Sequence, residues 1–188
     1  IRAIALDGDP GIPDASSAPK AYRTTFEPAA PLSSATNGYE PRAAAAADLD
    51  GDGDIDLVSA NTATNNLTLY FQTNPGVFAQ SGTPLATGLN PRHVVAADLD
   101  GDGDVDLASA NFNSNTLTVF FQSDTEPGTF SETSTLGVGG NPWSIAAADL
   151  NGDGDTDLVS ANFSSDSLTV LFQDATAPGG FVTAADTL

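Results

Sequence analysis

The sequence predicts an all-β chain built from three four-stranded repeats of about 50 residues each. Three observations predict it. The acidic segment Asp48-Leu49-Asp50-Gly51-Asp52-Gly53-Asp54-Ile55-Asp56 returns at 98–106, with Val105 for Ile55, and at 149–157, with Asn151 and Thr156 as its differences. Around each copy, runs rich in β-branched and aromatic residues recur at matching distances, punctuated by Gly, Pro and Asn. No 3.6-residue apolar periodicity persists for even three helical turns.

Each repeat opens with a proline (Pro41, Pro91 or Pro142) seven residues before the first Asp of its acidic segment. A small apolar run follows as strand one, residues 43–47, 93–97 and 144–148, whose small side chains suit a crowded position where backbones approach closely. The acidic segment joins it as a tight hairpin to strand two, Leu-(Val/Ala)-Ser-Ala, which ends at Asn61, Asn111 and Asn162. Turn residues at 62–66, 113–115 and 164–167 lead into strand three, which begins at Leu67, Leu117 and Leu168 and closes on Gln72, Gln122 and Gln173. A Pro-Gly pair and a Phe (Phe78, Phe130, Phe181) then introduce a Thr/Ser-rich strand four, polar on alternate positions and placed at an exposed outer edge. It runs to Leu85, Leu136 and Leu188.

Four-stranded units at this period point to β-propeller blades, here 41–89, 90–140 and 141–188. Residues 24–40 read as the outer strand of an incomplete blade, since 26–32 echo 130–136 and Gly38 precedes Pro41 as Gly139 precedes Pro142. Residues 1–23 read as an irregular extension, in which Asp7-Gly8-Asp9 echoes the acidic segment without its first Asp. An ordinary closed propeller has about four to eight blades. Three blades therefore imply part of a larger propeller or array, or one that neighbouring chains complete.

Five acids in nine residues repel one another unless a cation lies among them. Alternate Asp residues, with Gly at positions four and six, let a short loop curl and turn its oxygens inward. Carboxylate oxygens in a flexible loop suit calcium, so three calcium sites are expected. The competing reading, an acidic turn solvated by water, has to account for three copies at one spacing. An EF-hand would need Glu at position twelve between two helices, where this chain has Ser59, Ser109 and Ser160 between strands. A nonapeptide β-roll would need tandem Gly-Gly-x-Gly-x-Asp, which is missing.

With Ala47 to Leu57 and its two equivalents in their flanking strands, the repeat resembles the FG-GAP/VCBS family, found in the propellers of integrin α-subunits and in many large bacterial surface proteins. The resemblance covers residues 41–188. It implies side-chain ligands at positions one, three, five and nine and a backbone carbonyl at seven. The first site would then use Asp48, Asp50, Asp52 and Asp56 with the carbonyl of Asp54. Asp98, Asp100, Asp102 and Asp106 with the Asp104 carbonyl would form the second. Asp149, Asn151, Asp153 and Asp157 with the Asp155 carbonyl would form the third, which Asn151 leaves one negative charge poorer and so weaker.

Composition narrows the function. The net charge is −20, and 14 of the 25 acidic residues lie in the three acidic segments, while Arg2, Lys20, Arg23, Arg42 and Arg92 all fall in the first half. Three divalent ions would still leave −14, which rejects nucleic acid and anionic membranes. No cysteine is present, so disulfides and thiolate metal sites are excluded. No apolar run approaches the roughly 20 residues of a membrane span, and no direct membrane insertion is expected. Calcium sites of this kind suit millimolar calcium, hence an extracellular or cell-surface, secreted setting.

Among single residues, His93 is the only histidine and aligns with Ala43 and Ser144, which argues against catalysis. Trp143 aligns with Arg42 and Arg92; packing at a rim or in the core is favoured over stacking on a sugar ring. Asn61, Asn111 and Asn162 are expected to satisfy backbone groups at strand ends. Asn66-Leu67-Thr68 and Asn162-Phe163-Ser164 fit the glycosylation acceptor pattern. No nucleophile–base pair and no phosphate-cradling glycine loop is visible, so no enzyme activity is expected.

Three functional readings follow. The first is a calcium-stabilised extracellular module for adhesion or for binding a protein or glycan ligand. The second is a structural subunit of a surface assembly or filament, completed by other copies of itself. The third, least favoured, is the scaffold of a polysaccharide-active enzyme whose catalysis resides in another domain.

Overall fold

The computed structural model describes residues 32, 40–174, 176–177 and 179–184, apart from the side chains of Glu132 and Thr133. The expected extension 1–23 with its Asp7-Gly8-Asp9 echo, and all but Leu32 and Glu40 of the expected strand 24–40, lie outside them. So does Leu188. The described residues form thirteen strands in three antiparallel sheets and no helix, and therefore no helix long and apolar enough to cross a membrane. All thirteen strands belong to the unit Ser34–Leu188.

Sheet I comprises β1 (Pro41–Ala47), β2 (Asp56–Asn61), β3 (Asn66–Asn74), β4 (Val77–Gln80) and β5 (Leu85–Ala86). Sheet II comprises β6 (Pro91–Ala97), β7 (Asp106–Asn111), β8 (Thr116–Ser123) and β9 (Glu126–Gly137). Sheet III comprises β10 (Pro142–Ala148), β11 (Asp157–Asn162), β12 (Ser167–Gln173) and β13 (Phe181–Thr183). Within each sheet the strands meander in chain order, except that β5 returns to pair with β3. The first hairpin has the same register throughout, Ala47 opposite Asp56, Ala97 opposite Asp106 and Ala148 opposite Asp157. The turns between the second and third strands end on Asn65, Asn115 and Asp166, all at left-handed φ near 50°, a conformation that Asn and Asp tolerate better than other side chains.

Two local features depart from the plain repeat. The expected single fourth strand of the first repeat is split into β4 and β5, both paired to β3. Pro84 lies in the gap, and a residue without an N–H cannot extend a ladder. The first strand of each sheet also slips register between its proline and the third residue, which marks Arg42, Arg92 and Trp143 as bulged positions. A bulge re-aims the side chain it carries.

The sheets stack face to face. Leu49, Val58, Ala60, Leu67 and Leu69 of the first repeat pack with Val94, Leu107 and Phe120 of the second. The equivalent Leu99, Ala108, Ala110, Leu117 and Val119 pack with Ile145, Leu158 and Leu171 of the third. Burying each of these larger side chains contributes roughly 1.5–3 kcal/mol. The crowding expected around strand one is not met at β1, whose residues are exposed or half-buried because no described sheet lies on its far side.

The aligned asparagines also behave differently from expectation. They bind side chains rather than strand-end backbone. The Asn61 Oδ1 accepts from Ser59 Oγ at 3.1 Å and its Nδ2 donates to Thr68 Oγ1 at 2.9 Å. Asn111 and Asn162 repeat the pair, at 3.1 and 2.8 Å and at 2.9 and 2.9 Å. Asn162 is thus buried and engaged, and does not fit the glycosylation acceptor it matched by sequence. Connecting backbone lies directly over two of these groups: a Cβ on Gly88 would come within 2.9 Å of Asn111, and one on Gly139 within 2.6 Å of Asn162.

Candidate metal centre

At the other end of each first hairpin lies the acidic loop. Its curl is built by its own carboxylates. In the second loop the Asp98 carboxylate accepts the N–H groups of Gly101 at 2.7 Å and Gly103 at 3.1 Å. Asp100 Oδ1 accepts from Asp102 N at 3.2 Å, and Asp102 Oδ1 from Asp104 N at 2.8 Å. The first loop repeats the last two links, through Asp50 and Asp52, and the Gly53-to-Asp48 bond at 3.0 Å. The third loop repeats all four through Asp149, Asn151 and Asp153. Gly53 and Gly103 sit at φ of 92° and 97°, where a side chain would strain the turn.

The ninth residue anchors the loop from below. Asp56, Asp106 and Asp157 are buried. Each accepts one N–H from within its loop (Leu49, Leu99 or Leu150, at 2.9, 2.8 and 2.8 Å). Each takes a second from the third strand (Gln72, Gln122 or Gln173, at 2.8, 2.8 and 3.0 Å). The ninth carboxylate therefore ties the loop to two strands before any ion is considered. That role was missed from sequence, because the donors are backbone N–H groups, which side-chain identity does not mark.

The first, third and ninth residues converge. Oxygens of Asp48, Asp50 and Asp56 lie within 4.8 Å of one another, as do those of Asp98, Asp100 and Asp106, and both triples could hold a metal ion. The fifth and seventh residues, Asp52, Asp54, Asp102 and Asp104, lie outside these triples. In the third loop Asn151 replaces the middle carboxylate, and its Nδ2 donates to Asp153 Oδ2 at 2.8 Å.

The electrostatics are those of a cluster short of positive charge. Burial, with the neighbouring Asp56 charge, raises the pKa of Asp50. Burial likewise raises that of Asp100, helped by Asp102 and Asp98. Asp106 is pushed up to about 7, chiefly by burial and further by Asp100 and Asp102, against the opposing N–H bonds of Gln122 and Leu99. Arg42 and Arg92 lie at the starts of β1 and β6, whose far ends carry the loops, roughly 20 Å away by strand rise. Asp48 Oδ1 is buried without a hydrogen-bond partner. An orphaned, desolvated carboxylate oxygen beside two more acids fits a hard divalent cation.

Elsewhere, His93 lies half-buried on β6, with its pKa lowered by desolvation. Trp143 is half-exposed and packs in an aromatic cluster: the Arg92 guanidinium lies 4.0 Å from the Phe112 ring centre and 4.4 Å from that of Trp143. Trp143 in turn meets Phe112 edge-on at 5.6 Å and Phe163 at 5.7 Å.

No curated protein matches the sequence. A family model for the FG-GAP-like repeat matches twice, over residues 48–109 and 98–160, each match beginning on the first Asp of an acidic loop and running into the next repeat. Together the matches span more than half of the chain, and the chain belongs to the FG-GAP-like repeat family.

Proposed function

We propose that this chain is a calcium-binding, propeller-type repeat module of the cell surface or extracellular space, in which calcium serves structure and the outer surfaces serve adhesion or ligand binding. One observation carries the reading: the first, third and ninth acids of two loops meet within 4.8 Å, and one buried oxygen among them lacks a partner. Asp48, Asp50, Asp52 and Asp56 with the Asp54 carbonyl would hold the first ion. Asp98, Asp100, Asp102 and Asp106 with the Asp104 carbonyl would hold the second. Asp149, Asn151, Asp153 and Asp157 with the Asp155 carbonyl would hold the third. Bound calcium supplies positive charge that offsets the carboxylate repulsion and cross-links each first hairpin, so binding free energy becomes folding free energy.

An extracellular setting supplies the calcium such loops need, and the absence of cysteine leaves metal as the available staple. No residue is assigned a catalytic role. The acids that converge are committed to the loops, and His93 has no acid–base partner among the described contacts.

Chelation tests the reading. At a hundredfold excess of calcium over Kd each site contributes about 2.7 kcal/mol. At about 2–4 °C per kcal/mol for a chain of this size, three loaded sites raise Tm by roughly 15–30 °C. Excess chelator is expected to remove that increment and calcium, more than magnesium, to restore it. A melt that chelator leaves unchanged sinks the proposal.

A further inference from the structure

The two sheet junctions use the same positions, and among the described residues each kind of surface is left open once. Leu67 of sheet I and Leu117 of sheet II are wholly buried beneath the sheet that follows. Their equivalent in sheet III, Leu168, is 68% exposed, and Leu150 is 46% exposed where Leu49 and Leu99 are buried. Conversely, Leu107 and Phe120, and Leu158 and Leu171, are the buried residues that cover a preceding sheet. The equivalent of Leu107 and Leu158 in sheet I, Leu57, is only half-buried.

Polar groups follow the same logic. The Asn65 Oδ1 accepts the backbone N–H of Asn90 at 2.7 Å, and Asn115 that of Asn141 at 2.7 Å, stitching each sheet to the next. Asp166 stands at that position in sheet III, exposed. Glu40 stands where Asn90 and Asn141 stand, in the same left-handed conformation, with φ of 45° against 61° and 55°. At the second junction the bulged Trp143 reaches back onto Phe112 and Arg92 of the sheet before it. The bulged residue of sheet I is Arg42, exposed, while Trp143 and Phe163 are 49% and 66% exposed.

We propose that a second copy of this chain docks head to tail, its sheet I covering the open face of sheet III, with Asp166 accepting its Glu40 N–H and Trp143 and Phe163 stacking its Arg42. The interface continues one that the chain already makes twice within itself. Two acidic copies repel overall, and Glu40 faces Asp166, but the local contact at Arg42 favours a second copy as the occupant. Every Lys and Arg lies in the first half of the sequence, so the open face of sheet III offers aromatic rings and Asp166, while sheet I offers the cation that suits both. Such a contact is heterologous: it closes a ring if the rotation permits and otherwise grows a filament. Two copies would bring six sheets together, inside the range of closed propellers. The proposal rests on reading the sheets as stacking repeats and is independent of which ion fills the loops.

The test is sedimentation velocity of the whole chain in calcium, from micromolar to millimolar protein. The expected result is a species of at least twice 19.0 kDa that gains population with concentration. Because Leu168 is exposed, Leu168→Asp leaves the fold intact, checked by an unchanged Tm of the dilute protein, and weakens association at least tenfold. Arg42→Glu is expected to weaken it several-fold, and Arg42→Glu combined with Asp166→Arg to restore it. Wild-type protein that stays at one copy throughout overturns the proposal and leaves a further sheet of a longer polypeptide as the natural cover. Assembly indifferent to Leu168→Asp overturns it equally. Chelator melts of the Leu168→Asp protein read the calcium proposal alone, so the two can fail separately.

Discussion

Sheets II and III are written in nearly the same residues, yet one is covered on both faces and the other on one. Leu117-Thr118-Val119-Phe120-Phe121-Gln122 and Leu168-Thr169-Val170-Leu171-Phe172-Gln173 occupy the same register against the same Leu-(Ala/Val)-Ser-Ala-Asn neighbour. Phe120 and Leu171 are both buried, because each faces the preceding sheet. Leu117 is buried and Leu168 exposed, because only sheet II has a described sheet on its other side. Strand pairing is thus a property of the individual repeat, whereas burial belongs to the stack.

The largest expected effect breaks this symmetry directly. Leu117→Ala empties a packed site and is expected to cost about 2–5 kcal/mol. Leu168→Ala in dilute protein is expected to cost less than about 0.5 kcal/mol, as at other exposed positions. Urea unfolding in saturating calcium compares the two. Equal costs would mean that sheet III is covered in the monomer, against the exposure of Leu168. If copies dock as proposed, the gap narrows as protein concentration rises, since docking buries Leu168.

What was legible in the sequence follows the same division. The acidic loops, the hairpin they close and the strand order within a repeat are local. They depend on residues within about 50 positions, and three copies made the register plain. The convergence of the first, third and ninth acids was legible for the same reason. The exposure of Leu168 was not, because the pattern around it is that of Leu117 and only the stack tells them apart. Nor was the hydrogen bonding of Asp106. Its partners Leu99 and Gln122 lie 7 and 16 residues away, and an acid assigned to metal gives no sign that backbone N–H groups already hold it. The asparagine ladder was misread toward backbone because Thr118 meets Asn111 only across paired strands, and Ser109, two residues before it on β7, shares its side of the strand. The split of the fourth strand was visible in Pro84 alone, against a run otherwise like its neighbours.

The loops of the same two sheets differ at one position, and that difference sets the next effect. The second loop has Asp100 where the third has Asn151, both accepting the N–H two residues on, at 3.2 and 2.9 Å. Backbone geometry is therefore shared, and the charge is what differs. Asn151→Asp is expected to tighten calcium at the third loop on the order of threefold to tenfold, with the first two sites unmoved. Stepwise calcium titration by calorimetry resolves it. Three sites of equal affinity in the unmodified chain would show that the side-chain charge at position three does not set the strength of binding.

The smallest effect concerns the residue ahead of each opening proline. Asn90 and Asn141 adopt left-handed φ at a side chain that tolerates it, whereas Glu40 adopts it without that tolerance. Asn90 also accepts from Arg92 Nε at 3.0 Å, and Arg42 stands in the matching place beside Glu40. Glu40→Asn is accordingly expected to stabilise sheet I by about 0.5 kcal/mol, a rise of roughly 1–2 °C in Tm. A lowered Tm would show that the Glu40 carboxylate makes a contribution larger than the backbone strain it carries. The same substitution removes a negative charge from the edge that meets Asp166 in the docked arrangement. It should therefore tighten association between copies even as it steadies the single chain, whereas a purely local effect on β1 would leave the sedimentation profile where it was.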